Sequence, residues 1–149
     1  MPNTTLTSDR ALKLENQLCF SLYSASLAMT KLYKPLLAKL GLTYPQYLAM
    51  LVLWESDGLV VSEIGECLYL DSGTLTPLLK RLEAGGFITR QRDPDDERRV
   101  RVNLTPAGRA LKAEVASIPA CVAAYTQCEM HDLFSLNKEI KKFRQQLMR

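Results

Sequence analysis

Residues 61–104 constrain this chain more than any other stretch. A short helix signal, capped by Ser62 and carrying Ile64 and Leu68 inward, leads into a second helix that begins at Asp71 or Ser72. In that second helix Leu75, Leu78, Leu79 and Leu82 recur at i, i+3, i+4 and i+7, an apolar stripe that must face a core. Gly85-Gly86 ends it. Two alternating segments follow, residues 87–92 and 99–104, around a tip opened by Asp93-Pro94. In the second of them Val100, Val102 and Leu104 point one way while Arg99, Arg101 and Asn103 point the other. Two helices joined by a tight turn and followed by a hairpin form the plan of a winged helix-turn-helix.

The outward faces of these elements have a chemistry of their own. Opposite the leucine stripe lie Gly73, Pro77, Lys80 and Ala84, flanked by Thr74, Thr76 and Arg81, with Ser72 at the start. Small residues let such a helix approach a partner closely, and hydroxyls and cations hydrogen-bond base edges and phosphates. Pro77, inside a helix, is expected to bend it near its start. The net charge of +3 is modest, but Arg90, Arg92, Arg98, Arg99 and Arg101 all fall in the hairpin, as a phosphate-contacting surface requires. Asp96 stands two residues from Arg98, close enough to orient its guanidinium. A merely solvated hairpin is the bland alternative, and the preceding helix argues against it. The expected partner is double-stranded DNA, read through Ser72, Thr74, Thr76, Lys80, Arg81, Arg90, Arg92, Asp96, Arg98 and Arg99.

Helical patterns flank this module on both sides. Leu14, Leu18, Leu22, Ala25, Met29 and Leu32 mark one face of a long helix that Pro35 kinks or ends, and Gly41 stops the short continuation. Thr43 and Gln46 form a capping box for a helix over residues 44–55, apolar almost all round and therefore buried. Thr105-Pro106 starts a further helix through Leu111, Val115 and Ile118, which Pro119 interrupts. Leu133, Leu136, Ile140, Phe143 and Leu147 mark the last. The fold class is mainly α with a small β-hairpin wing, in a single domain of 149 residues. Residues 10–55 and 106–149 are free to serve dimerisation and sensing, because two copies about one helical turn of DNA apart read a pseudo-palindrome.

No apolar run approaches a membrane span and the first ten residues lack an export signal, so a cytoplasmic protein is expected. Four cysteines, Cys19, Cys67, Cys121 and Cys128, show no C-x-x-C spacing, and with His131 as the only histidine no metal or cofactor is expected. In a reducing compartment such thiols are buried fillers or redox-active groups. Cys121 and Cys128, seven apart, can share one helical face.

The strings DSGTLTPLLKRLEAGGFITR and DERRVRVNLTPAG resemble the MarR-family winged-helix repressors, including Asp96, Arg98, Leu104 and Thr105 of the wing. LENQLCFSLYSASLAMTKLYKPLL and LTYPQYLAMLVLWE resemble the organic-hydroperoxide-sensing, OhrR-type branch, and the likeness runs from Leu14 to about Ile118. That resemblance implies a homodimer that represses a detoxification gene while reduced and leaves DNA when organic hydroperoxide oxidises one cysteine. The reactive cysteine of the family's QLC motif corresponds to Cys19. Tyr33 and Tyr44 match the two tyrosines that hydrogen-bond the sulfur from the other subunit. Some members carry a second cysteine near the C-terminal helices that forms an intersubunit disulfide; Cys121 and Cys128 are the candidates, with Cys121, nearer the Pro119 break, preferred.

A thiolate attacks the peroxide, giving a sulfenic acid that a second thiol condenses to a disulfide. With Cys19 in mid-helix the helix dipole offers little, and stabilisation falls to the phenols and to free amides at the Thr43-capped helix start. The resemblance implies a preference for alkyl or lipid hydroperoxides over hydrogen peroxide, with which apolar Leu18, Phe20 and Leu22 beside Cys19 agree. By default a lone cysteine on an amphipathic helix is a small buried hydrophobe, the reading kept for Cys67, and tyrosines such as Tyr33, Tyr44 and Tyr47 are core aromatics. Two other functions compete: a MarR-type repressor released by a non-covalent small ligand, and a thiol peroxidase. The basic wing and pairing helices argue against an enzyme.

Overall fold

Where the hydrophobic periodicity begins and where the first long helix begins are different places. In the computed structural model, which describes residues 7–149, a short helix α1 (Ser8–Ala11) and a 3-10 turn (Leu14–Asn16) precede α2 (Leu18–Ala38). Gln17 is extended, with ψ at 110°, and separates the turn from α2. Its side-chain amide donates to the carbonyls of Ala11 and Lys13 at 2.6 and 2.9 Å, so it supports the preceding turn instead of capping the helix. Pro35 does not end α2, which continues to Ala38. A proline removes only its own N–H bond, to the Lys31 carbonyl, and the rest of the ladder carries on. Gly41, at φ 74°, makes the stop: it turns left-handed so that the Leu42 N–H reaches back to the Leu37 carbonyl at 3.1 Å.

The chain divides into two compact units, one running to Tyr44 and the other Pro45–Arg149. Helix α3 (Tyr44–Glu55) opens at the boundary, and α4 (Val61–Leu68), α5 (Ser72–Ala84), β1 (Ile88–Arg92), β2 (Val100–Leu104), α6 (Pro106–Val115), α7 (Ile118–Thr126) and α8 (Met130–Leu147) follow. The core of the second unit gathers Tyr47, Met50 and Leu53 of α3, Ile64 of α4 and all four leucines of the α5 stripe. Ile88, Val102, Leu111, Val115 and Ile118 are buried with them. The expected burial of the α5 stripe is therefore found, whereas α3 is buried along one side only, with Leu51 exposed and Leu48, Val52 and Trp54 half-buried. The strands pair antiparallel with Ile88 opposite Leu104 and Arg92 opposite Val100.

A third extended piece, unforeseen in the sequence, joins this hairpin. Val60 bridges Arg101, and the Val102 N–H donates to the Leu59 carbonyl at 2.8 Å. That pairing holds Val60 extended and makes it the N-cap of α4, its N–H donating to the Glu63 carboxylate at 3.0 Å. Ser62 consequently lies exposed inside α4 and is not the cap. Between α4 and α5 the chain turns left-handed at Tyr69, φ 58°, and the Leu70 N–H closes on the Gly65 carbonyl at 3.0 Å. A Cβ on Gly65 would sit 2.6 Å from the Leu70 carbonyl oxygen, so only glycine admits so tight a turn.

The C-terminal helices also differ from expectation. The break after α6 comes at residues 116–117, and Pro119 lies in the first turn of α7, where a missing N–H costs nothing. Cys121 belongs to α7, whereas Cys128 follows Gln127, whose left-handed φ of 56° ends that helix; the two do not share a helical face. Cys67 is exposed, contrary to a filler role. Among the described residues, no helix is long and apolar enough to cross a membrane.

Candidate functional site

Helix α5 is anchored from beneath and open above. Asp71 caps it, accepting the Thr74 N–H at 2.7 Å, and that bond holds the carboxyl below its ordinary range. With the leucines buried, Ser72, Gly73, Thr74, Pro77, Lys80 and Arg81 are left exposed and Thr76 half-buried. Between this helix and the wing runs a groove of about 350 Å³ whose lining includes Ser62, Ser72, Thr76, Arg90, Arg98 and Arg99. Hydroxyls from two helices and guanidiniums from the hairpin thus converge on one concave surface. Ser62 is the addition: its place there comes from the shift of the α4 cap to Val60, which sequence alone did not signal.

The arginines divide by what already holds them. Arg98, 92 % exposed, receives only light orientation from Asp96, whose carboxylate accepts from its Nε at 3.3 Å and its backbone N–H at 3.1 Å. Arg92 and Arg99 are exposed. Arg90 is half-buried, and Glu83 accepts from its backbone N–H at 2.8 Å and from Nε and Nη2 at 3.3 and 3.1 Å. Its charge is largely answered within the protein, and its place is that of a strut between α5 and β1. Arg101, on the basic strand face, donates to the Gly58 carbonyl.

Those bonds to Arg90, the backbone one foremost, hold the Glu83 carboxyl below its ordinary value. A carboxylate lowered on folding contributes stability above its unfolded value and loses it as pH falls through the folded one. Glu83→Gln is therefore expected to cost about 1 kcal/mol at neutral pH and nothing at low pH. Thermal midpoints of both proteins across that range check this; a gap independent of pH counts against the pair.

Asp57 ties the wing down from its other end, and the sequence reading passed over it. Its Oδ1 accepts the N–H groups of Leu104 and Gly58, both at 2.8 Å, and its Oδ2 meets Arg109 at 3.2 Å. The Asp-Gly pair was a turn signal that could have found it.

Cys19, Tyr33 and Tyr44, the candidate sulfur-site residues, lie in the first unit. Because α2 starts at Leu18, Cys19 occupies its first turn and not mid-helix. No side chain caps this end of α2, and Cys19 is exposed there. Leu18 and Phe20 beside it are 57 % and 41 % exposed. Tyr33, fourteen residues along the same helix, is about 21 Å away by helical rise. Its ring lies 4.8 Å from that of Tyr44. Burial pushes the Tyr44 phenol up, so it remains a protonated donor. The Tyr33 ring of α2 thus packs on the Tyr44 ring at the start of α3, and the rise of α2 holds Tyr33 far from Cys19 of the same chain.

Known proteins align with this arrangement. The family described as transcriptional regulator SarA/Rot matches residues 31–115. The organic hydroperoxide resistance transcriptional regulator of Bacillus subtilis is 54 % identical over 129 residues, covering 87 % of this chain and 88 % of its own. Among solved structures, reduced AbfR bound to DNA is similar at 35 % identity and a TM-score of 0.74, covering 91 % of this chain and 96 % of that one. AbfR is a protein of Staphylococcus epidermidis. Its disulfide form is 37 % identical with a TM-score of 0.63, covering 87 % and 91 %. With its winged helix-turn-helix and a relative of this identity over most of both lengths, the chain belongs to the organic hydroperoxide resistance regulators, within the MarR-type winged-helix transcriptional regulators.

Proposed function

We propose that this protein is a redox-responsive repressor that binds operator DNA as a reduced homodimer and leaves it when organic hydroperoxide oxidises Cys19. The observation that carries this reading is the placement of Cys19: exposed in an uncapped first turn, and about 21 Å along α2 from Tyr33, whose ring packs on that of Tyr44. A second subunit brings Tyr33 and Tyr44 to the sulfur. Exposed Leu18, Leu27 and Met29 on α2, and Phe134, Leu136 and Ile140 on α8, supply apolar surface for that pairing. Residues 10–55 and 106–149 then serve dimerisation and sensing, and residues 61–104 read DNA.

The chemistry balances without a cofactor. The Cys19 thiolate attacks the terminal peroxide oxygen; an S–O bond forms, the O–O bond breaks and the departing alkoxide takes up a proton as alcohol. Sulfur loses two electrons to the peroxide. The thiol of Cys121 or Cys128 from the partner then displaces water from the sulfenic acid, closing an intersubunit disulfide. Both candidates are exposed, Cys121 near the start of α7 and Cys128 in the link before α8. AbfR is known both reduced on DNA and in a disulfide form, and this chain has the higher TM-score to the DNA-bound one. Such a protein consumes peroxide stoichiometrically, as a sensor and not an enzyme, and acts where the DNA is, in the cytoplasm.

One equivalent of an alkyl hydroperoxide, added to reduced protein on an operator selected from random duplexes, is expected to release the DNA and yield a non-reducing dimer band. Peptide mapping should join Cys19 to Cys121 or Cys128 of the other chain. Release with all thiols still reduced would overturn the proposal in favour of a ligand-gated repressor.

A further inference from the structure

We propose that α5 recognises one base pair of each half-site through a main-chain acceptor, the carbonyl of Gly73, which Pro77 sets free. The inference rests on the DNA-reading role of α5 and not on the redox switch. Helix α5 is continuous from Ser72 to Ala84 with Pro77 inside it. Proline has no N–H, so the carbonyl four residues earlier, that of Gly73, has no ladder donor. Its location follows from the buried stripe. Leu75, Leu78, Leu79 and Leu82 are all turned into the core. At roughly 100° per residue, Gly73 and Pro77 fall at the centre of the opposite, exposed face.

Packing does not explain this pair. A Cβ on Gly73 would meet only the Asp71 carboxylate, at 3.5 Å, an ordinary contact, and its backbone is not left-handed. Pro77 is exposed and fills nothing. Glycine and proline are nevertheless the two residues least suited to a helix, and here they stand four apart on the exposed face opposite the buried leucines. A local choice that works against the fold without a packing return is what a functional position looks like. Contrast Gly65 and Gly108, where an added Cβ would strike backbone at 2.6 and 2.1 Å.

A carbonyl with free lone pairs accepts and cannot donate. In the major groove the donors are the N4 amino group of cytosine and the N6 amino group of adenine, whereas guanine and thymine present acceptors at the corresponding positions. The Gly73 carbonyl therefore selects an amino-bearing base. Thr74, Thr76 and Lys80 beside it read or clamp the neighbours.

The test combines one protein change with single-atom-group changes in DNA. Operator duplexes carry, one position at a time, purine in place of adenine or pyrimidin-2-one in place of cytosine, each lacking the amino group. Reduced wild-type protein is expected to lose about fivefold in affinity at one position per half-site, and which analogue does so identifies the base. Pro77→Ala restores the N–H and its bond to Gly73. It should raise the thermal midpoint while losing that one sensitivity and keeping the others. A merely structural proline would leave the base profile as it was or weaken all positions alike, and either result overturns the proposal. If the wild type shows no base preference anywhere, the DNA-reading role itself fails.

Discussion

Cys19→Ser is expected to bind operator DNA like the reduced wild type and to stay bound in organic hydroperoxide. Serine replaces the sulfur with an oxygen that still tolerates the first turn of α2 but has no two-electron oxidation open to it. Specific binding exceeds non-specific binding by about 4 to 10 kcal/mol, so a switch worth about 3 kcal/mol lowers wild-type operator affinity more than a hundredfold. In the variant that drop should vanish. Fluorescence anisotropy on a labelled operator, titrated with an alkyl hydroperoxide, reads it directly. Unchanged release would transfer the trigger to another group, Cys67 being the exposed thiol on the reading module itself. Tyr33→Phe and Tyr44→Phe should give the intermediate result, slower oxidation with reduced-state binding intact.

Gly108→Ala is expected to be among the most damaging single changes. In an ordinary helix the swap stabilises by about 1 kcal/mol. Here the new Cβ would sit 2.1 Å from the Phe87 carbonyl oxygen and 3.0 Å from its carbon, both backbone atoms that no side-chain rotation can move. The same oxygen accepts the Thr105 N–H at 3.1 Å, Thr105 Oγ1 accepts the Gly108 N–H at 3.1 Å, and the Gly108 carbonyl accepts Trp54 Nε1 at 2.9 Å. Relief of the overlap must part α6 from the start of the hairpin and break into this network. Overpacking of this kind costs about 3 kcal/mol, lowering the melting midpoint by roughly 10 °C. Operator affinity should fall as well, because the wing is held at this junction. A midpoint equal to or above that of the wild type would show that the overlap relaxes without cost.

The reading module was legible because its signals are local. Four leucines at helical spacing, a Gly-Gly stop and an alternating hairpin are each decided within a few residues, and α5, β1 and β2 start and stop within a residue of expectation. Thr105 caps α6 as its sequence implies, accepting the Gly108 N–H. The candidate sulfur site is a set of residues offered by family resemblance, and its local setting was not legible. An unbroken apolar period across Leu14 and Leu18 concealed the extended Gln17, and with it the first-turn position of Cys19. Similarly, the seven-residue spacing of Cys121 and Cys128 concealed a left-handed residue that carries no glycine to announce it.

Side-chain period, turn chemistry and residue type by themselves determined that this chain has a leucine-backed reading helix, a basic hairpin and a candidate thiol, since each depends on covalent geometry and near neighbours in the chain. Tertiary structure alone decided which groups remain free to act. Arg90 is taken up by Glu83, Asp57 is drawn to the base of the wing, and Val60 displaces Ser62 as a cap because β2 lies beside it. Those outcomes depend on partners distant in sequence, whose approach no local pattern encodes.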